Sequence, residues 1–259
     1  MPQEPLSPGQ IEFYHENGFV VLGPLFDEAE LGSLRRAADE LVEKSGPVVV
    51  GNPRLEIEKE RLDGGMVIRK IEPVIDVVPA LKDLVYDQRM TAPTAQLFGE
   101  EVILFEDKLN YKPPRIGSAY PLHQDYAYWQ DYTDQLITVI LLLDDATAEN
   151  GCLRFVPGSH KNGLMARQDD HARIIQFELD DPSIAVDAPG KAGSLILFSC
   201  YTAHHSFTNR TNQGRRALLY TYNPASDGDT YPVYKGEHTR LCADWLKAER
   251  ERDTPEEKN

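Results

Sequence analysis

Cysteine is scarce: Cys152, Cys200 and Cys242 are an odd set with no close spacing. That argues against a disulfide framework and a zinc knuckle, and it points to a reducing, cytoplasmic home. No apolar run approaches the about 18 residues that a helical membrane span needs. The opening Met1-Pro2-Gln3-Glu4 has no basic stretch leading into an apolar one, so no secretory signal is expected. Basic residues are also outnumbered: 27 Lys and Arg against 42 Asp and Glu give a net charge of -15. A surface of that sign repels phosphate backbones and anionic lipid, which argues against nucleic acid and membrane partners. No repeat or low-complexity block occurs. What is present is 41% hydrophobic residues in a chain of 259, enough for a core in one large β-rich domain.

The first hundred residues read as mainly helical. Ser7 ahead of Pro8 to Tyr14 is an N-cap signal, Gly18 ends that helix, and Phe19-Val20-Val21-Leu22 reads as a strand. Asp27 is placed to cap a helix from Glu28 to Glu43, with Leu31, Leu34, Ala38, Leu41 and Val42 on one face. Residues 45–66, with Pro47, Gly51, Pro53 and Gly64-Gly65, are expected to form a long loop with a strand fragment. Another helical stretch is expected from Pro79 to Phe98, broken near Pro93.

From Val102 the texture changes to short strands. Val102 to Phe105 continues into Lys108 to Tyr111, and Ile137 to Leu143 is apolar enough to be buried on both faces. Asn150-Gly151 is a hairpin-turn signal before Cys152 to Val156. Leu195 to Phe198 and Ala217 to Tyr222 complete the set. Many short strands behind a helical layer predict a mainly β fold with flanking helices, a jelly-roll barrel. The expected organisation is one domain over 1–259: a mostly helical buttress (1–100), a jelly-roll core (101–225) and a C-terminal segment (226–259). Residues 165–192 are expected to form a lid, and Ala248 to Asn259 a frayed charged tail.

The chemistry concentrates in His123-Gln124-Asp125 and, far downstream, His204-His205 and Arg215-Arg216. His-X-Asp with a distant second His is the donor set of a 2-His-1-carboxylate iron(II) site, which leaves one face of the metal open. In a strand, residues i and i+2 share a face, so His123 and Asp125 can reach one ion while Gln124 points away. Two neutral histidines and one aspartate reduce the charge of Fe(II) by one, and the keto-acid end of 2-oxoglutarate removes another. The distal carboxylate of the cosubstrate would then be buried and need a partner, which one arginine fork supplies. By alternation His204 and Ser206 share a face and His205 takes the other. Geometry alone leaves open the choices between His204 and His205, and between Arg215 and Arg216.

Four segments carry a family resemblance. They are Lys108-Leu109-Asn110-Tyr111-Lys112-Pro113-Pro114, His123-Gln124-Asp125-Tyr126-Ala127-Tyr128-Trp129, Asn150 to His160, and His204-His205-Ser206-Phe207-Thr208-Asn209 followed by Arg215. Together they resemble the phytanoyl-CoA dioxygenase superfamily, ectoine hydroxylases included, over about Ser7 to Tyr222. In the distal motif of that family a Ser lies two, an Asn five and the oxoglutarate Arg eleven places after the His. Counting from His204 puts Ser206, Asn209 and Arg215 in register, so the resemblance selects His204 and Arg215. It departs at His205, where glycine is usual, a change expected to crowd the site or add a polar group.

The resemblance implies a double-stranded β-helix and an oxygenase dependent on Fe(II), 2-oxoglutarate and O2. His123, Asp125 and His204 would hold the metal and Arg215 the cosubstrate, helped by Lys108, Asn110 and Ser206, with Trp129 walling the cavity. The expected reaction is hydroxylation of a small-molecule substrate with release of succinate and CO2, by a monomer or homodimer. Family halogenases lack the carboxylate that Asp125 provides. Substrate contacts are expected from Glu106, Tyr126 and Tyr128, with Trp129, for a cationic or polar group. Arg69 or Lys70, from the helical layer, is the alternative for an anion. Two rival readings are a non-oxidative, cupin-like metal enzyme, which has no use for Arg215, and a catalytically silent binding protein of the same fold. His15, His171 and His238 read as surface residues, and Cys152 as buried and inert.

Overall fold

The computed structural model describes residues 6–49, 51–58, 65–165 and 184–253. Helix α1 (Pro8–Asn17) starts from Ser7, which exchanges capping hydrogen bonds with Gln10, and ends at Gly18, φ 84°. After β1 (Phe19–Pro24), Asp27 and Glu30 form a second capping box at the head of α2 (Glu28–Lys44). The buried face of α2 carries Leu31, Ala37, Ala38 and Leu41. Val42 is exposed, because the 3.6-residue repeat brings Ala37 inward in its place.

Strands β2 (Leu55–Ile57) and β3 (Ile68–Ile71) follow. The expected 79–98 helix is two, α3 (Pro79–Val85) and α4 (Gln88–Phe98). The break falls at Asp87, whose carboxylate accepts from Arg89 N and caps α4, while Pro93 lies buried inside α4. A good N-cap outcompetes the proline, which here removes a single intrahelical donor.

The remaining strands are β4 (Val102–Lys112), β5 (Tyr120–His123), β6 (Ile137–Leu142), β7 (Leu153–Phe155), β8 (Val186–Ala188), β9 (Ser194–Ser199), β10 (His204–Ser206) and β11 (Arg215–Pro224). They form two antiparallel sheets, ordered β1-β9-β6-β11-β4-β3-β2 and β5-β10-β7-β8. This is the double-stranded β-helix, mainly β with flanking helices. The first hundred residues are less purely helical than expected, since they supply three strands of the larger sheet. Asn150-Gly151 is no hairpin: β6 pairs with β9 and β11, whereas β7 pairs with β10 and β8. The turn carries the chain from one sheet to the other, braced by reciprocal bonds between Thr147 and Asn150.

Of the expected lid, residues 166–183 lie outside the described residues, His171 among them, and Val186–Ala188 is an edge strand instead. The expected frayed tail is helical to Asp253, within α5 (Tyr231–Asp253), and 254–259 lie outside the described residues.

Strand β6 is buried throughout. Val139 and Leu141 pack with α2, α3 and α4, while Ile140 and Leu142 face the smaller sheet with Phe155 and Phe198. Tyr220 and Tyr222 of β11 donate to the carbonyls of Leu81 and Val85, fixing α3 to the sheet. Leu141→Ala opens a void in the first of these layers and should cost about 2–5 kcal/mol, read from chemical denaturation.

Candidate active site

The smaller sheet presents the candidate metal donors. His123 ends β5 and pairs directly with His204 of β10. Gln124 stays extended (φ -113°, ψ 133°), and Asp125 then opens a 3-10 turn, Asp125–Tyr128. Asp125 therefore lies just beyond the strand, yet the alternation carries through. The buried Gln124 amide turns away and donates to the carbonyls of Gly163 (2.8 Å) and Tyr201 (2.6 Å). Asp125 Oδ1 is 3.4 Å from His123 Nε2 and 3.8 Å from His204 Nε2, and the three donor atoms lie within 4.8 Å of one another.

Backbone carbonyls set both tautomers. His123 Nδ1 lies 2.8 Å from Pro121 O and His204 Nδ1 2.9 Å from Thr202 O, so each Nδ1 carries its proton and each Nε2 offers a lone pair. Thr202 is tied back in turn, its hydroxyl donating to Gly18 O at 2.7 Å. A Cβ at Gly18 would come within 2.5 Å of Thr202 Oγ1, so the end of α1 requires glycine there and steadies the His204 segment.

Burial, with His123 alongside, lowers His204 to about 4, so the imidazole is neutral at neutral pH. Burial opposes the charge on Asp125, but His204, His123 and Lys108 hold its carboxyl well below the usual range. Two neutral imidazoles and one carboxylate are the donors a divalent first-row metal needs. An unfolded histidine takes its proton near about 6.5, the buried one only near 4. This group therefore weakens the metal-free fold as the pH falls from about 6.5 to 4, because the unfolded chain binds the extra proton. His204→Gln should flatten that stretch of the apoprotein stability profile, measured by urea denaturation.

Arg215 and Arg216 part company at the head of β11. Arg216 turns outward to Asp144 and Asp39, each at 3.0 Å. Arg215 is only 6% exposed and has no carboxylate partner among the described residues. Its Nε is buried without a hydrogen bond, as are Ser206 Oγ and Asn110 Oδ1, and all three residues line one cavity with the metal donors. Burial lowers the Arg215 pKa, as expected of a cation lacking its anion. Of these orphaned atoms, Arg215 Nε and the Ser206 hydroxyl are donors that fit a carboxylate ligand such as the distal end of 2-oxoglutarate, while Asn110 Oδ1 is an acceptor.

The cavity has a volume of about 380 Å³. Ile140, Leu153, Phe198, Ala217 and Leu219 form its apolar side. Trp129, Tyr128 and Arg69 also line it; Trp129 is buried and packs edge-on to Phe105 at 5.3 Å. Glu106 and Lys108 face it as an ion pair of 2.7 Å.

Several expectations need correction. Tyr126 is outside the lining: its ring packs on Tyr201 at 4.8 Å, because the 3-10 turn swings it away. Arg69 and Lys70 come from strand β3, not from the helical layer. His205 does not crowd the site, since alternation points it to the other face, against Phe207 at 5.1 Å. His238 is a cavity residue, not a surface one. Sequence reasoning also missed Glu72, Tyr120 and Tyr234, which line the cavity as well. The available signal for α5 was the spacing of Tyr234 and His238, four apart on one helix face.

The sequence profile of phytanoyl-CoA dioxygenase (PhyH) matches residues 14–217. The methylphosphonate hydroxylase of Gimesia maris is 30% identical over 238 residues, 92% of this chain and 88% of that protein. The 2-aminoethylphosphonate dioxygenase of an uncultured bacterium is 28% identical over 247 residues, covering 94% and 87%. Among solved structures, EctD from S. alaskensis with 2-oxoglutarate and 5-hydroxyectoine aligns with a TM-score of 0.70 and 25% identity, over 88% of this chain and 79% of that one. The same protein with bound Fe gives a TM-score of 0.69. A profile match running from α1 to β11, on this fold and around this donor set, makes the chain a member of the phytanoyl-CoA dioxygenase family, whose enzymes are dioxygenases using Fe(II), 2-oxoglutarate and O2.

Proposed function

We propose that this enzyme hydroxylates an aliphatic C–H bond of a small polar molecule while 2-oxoglutarate leaves as succinate and CO2. The observation that carries the reading is Arg215, a buried cation that has no carboxylate partner among the described residues and shares a cavity with His123, Asp125 and His204. Fe(II), held by those three residues, supplies the redox centre for O2 when bound. Arg215 with Ser206 and Asn110 orients the cosubstrate, and Phe198, Ile140 and Leu219 keep water from it. Asp125 fills the position that a halide would otherwise need, which favours hydroxylation over halogenation.

A cavity of about 380 Å³ suits compact ligands. The relatives named for methylphosphonate and 2-aminoethylphosphonate act on compounds of that size. All three cysteines are free, which fits a reducing cytoplasm, and we treat 1–259 as one catalytic domain. The test is aerobic turnover with Fe(II), 2-oxoglutarate and methylphosphonate, 2-aminoethylphosphonate or ectoine. One succinate per product, with the product heavier by one oxygen atom, is the expected result. Substrate-stimulated succinate with a product that gains no oxygen would contradict hydroxylation.

A further inference from the structure

The cavity wall holds a polar group with no role so far. Tyr120 lines the cavity, and its hydroxyl is enclosed without finding an acceptor among the described residues. Tyr120 opens β5 directly opposite Ser206 of β10, so the two side chains leave neighbouring strands on one face. A bulge separates this pair from His123 and His204, and the ladder that presents the imidazoles thus presents Tyr120 as well. Arg215 comes from the facing sheet, and Tyr120 lies near enough to act on its charge.

The ring is held in place. The Arg69 guanidinium carbon lies 3.8 Å from its centroid, while Arg69 itself reaches Ala119 O at 3.1 Å and Glu56 Oε1 at 3.3 Å. A side chain ordered in advance loses little freedom when a ligand arrives.

The groups around the hydroxyl are mainly donors. Arg69 faces it, but a guanidinium can only donate, so the phenol proton is left over. Lys112 Nζ, 5.3 Å from the ring centroid, is already spent on Ser118 O (2.6 Å) and Phe207 O (2.7 Å). Of the carboxylates around Arg69, Glu56 is shared between Arg69 and Lys70, the latter at 3.7 Å. Glu58 accepts from Ser118 N at 3.0 Å and does not line the cavity. Burial, with Glu56 nearby, raises the Tyr120 phenol above its ordinary range, so it is protonated at neutral pH and acts as a donor. Burial, with Arg215 and Arg69 alongside, pushes Lys112 down to about 7, which reflects how much positive charge gathers here. A carboxylate, with lone pairs for several donors, is the group that this end of the cavity lacks.

We propose that the Tyr120 hydroxyl donates to the distal carboxylate of the cosubstrate, beside Arg215 and Ser206, and that this third donor favours a 2-oxo diacid over a 2-oxo monoacid. The assignment rests on the reading of Arg215 as the cosubstrate anchor, which the experiment tests apart from it.

The experiment is anaerobic calorimetric titration of the Fe(II)-loaded protein with 2-oxoglutarate and with 2-oxovalerate, which keeps the keto-acid end but carries a methyl group in place of the distal carboxylate. Tyr120→Phe preserves the ring and its stack on Arg69 and removes only the hydroxyl. It should weaken 2-oxoglutarate about tenfold or more, the loss expected for one hydrogen bond to a charged group, and leave 2-oxovalerate unchanged. An unchanged dissociation constant for 2-oxoglutarate in Tyr120→Phe would overturn the proposal. Equal weakening of both keto acids would also overturn it, since the phenol would then act on the packing of the cavity and not on the carboxylate. If Arg215→Ala leaves 2-oxoglutarate affinity intact, the anchor reading itself falls and takes the assignment with it.

Discussion

Asp125→Ala should abolish substrate-dependent succinate formation. The carboxylate is the only anion among the three donor groups, and it sits within 4 Å of both imidazoles. Without it, two neutral histidines face a divalent ion, and neither the charge balance nor the facial geometry survives. Loss of a residue that merely supports a ligand costs about 10–100-fold in metal affinity or activity, so loss of a ligand should exceed that range. Iron content after gel filtration and O2 uptake with 2-oxoglutarate measure the two effects. Unchanged far-ultraviolet circular dichroism would attribute them to the centre and not to unfolding. Full coupling of 2-oxoglutarate to product in this variant would show that the donor set is wrong.

Arg215→Ala should raise the dissociation constant for 2-oxoglutarate by about two to three and a half orders of magnitude, the equivalent of the roughly 3–5 kcal/mol lost when one member of a buried ion pair is removed. Arg215 is almost wholly enclosed, so water offers little compensation, and its neighbours Ser206 and Asn110 carry no charge to replace it. Arg215→Lys should recover only part of the affinity, because an ammonium lacks the planar fork. The internal control is Arg216→Ala. That side chain is spent on Asp144 and Asp39, so its loss should leave 2-oxoglutarate affinity unchanged. Equal effects of the two substitutions would remove Arg215 from its assigned role.

The clustering of His123, Asp125 and His204 was legible in the sequence because its geometry is local. His123 and Asp125 need only an extended residue between them, and His204 and Arg215 lie at the fixed offset of one motif. The choice between Arg215 and Arg216 was not local: alternation separates the two faces of a strand but does not say which one is enclosed. The part of the cavity wall formed by Glu72, Tyr234 and His238 was hidden for a related reason. Glu72, Tyr234 and His238 are single residues of ordinary type on separate elements, and only the docking of α5 against β4 and β3 brings them together. Turn chemistry was readable at Asn150-Gly151, but a turn signal does not tell which sheet the next strand joins. At Asp87 and Pro93 the stronger breaker by residue type lost to the better cap, since a helix boundary depends on what satisfies the free amides.

The most direct test of the central claim is anaerobic titration of the apoprotein with Fe(II) and then 2-oxoglutarate, following the weak visible charge-transfer absorption of the chelate. The band should appear with one equivalent of each. It should also require much higher 2-oxoglutarate in Arg215→Ala and be unchanged in Arg216→Ala. Tight iron binding without any band at saturating 2-oxoglutarate would contradict it.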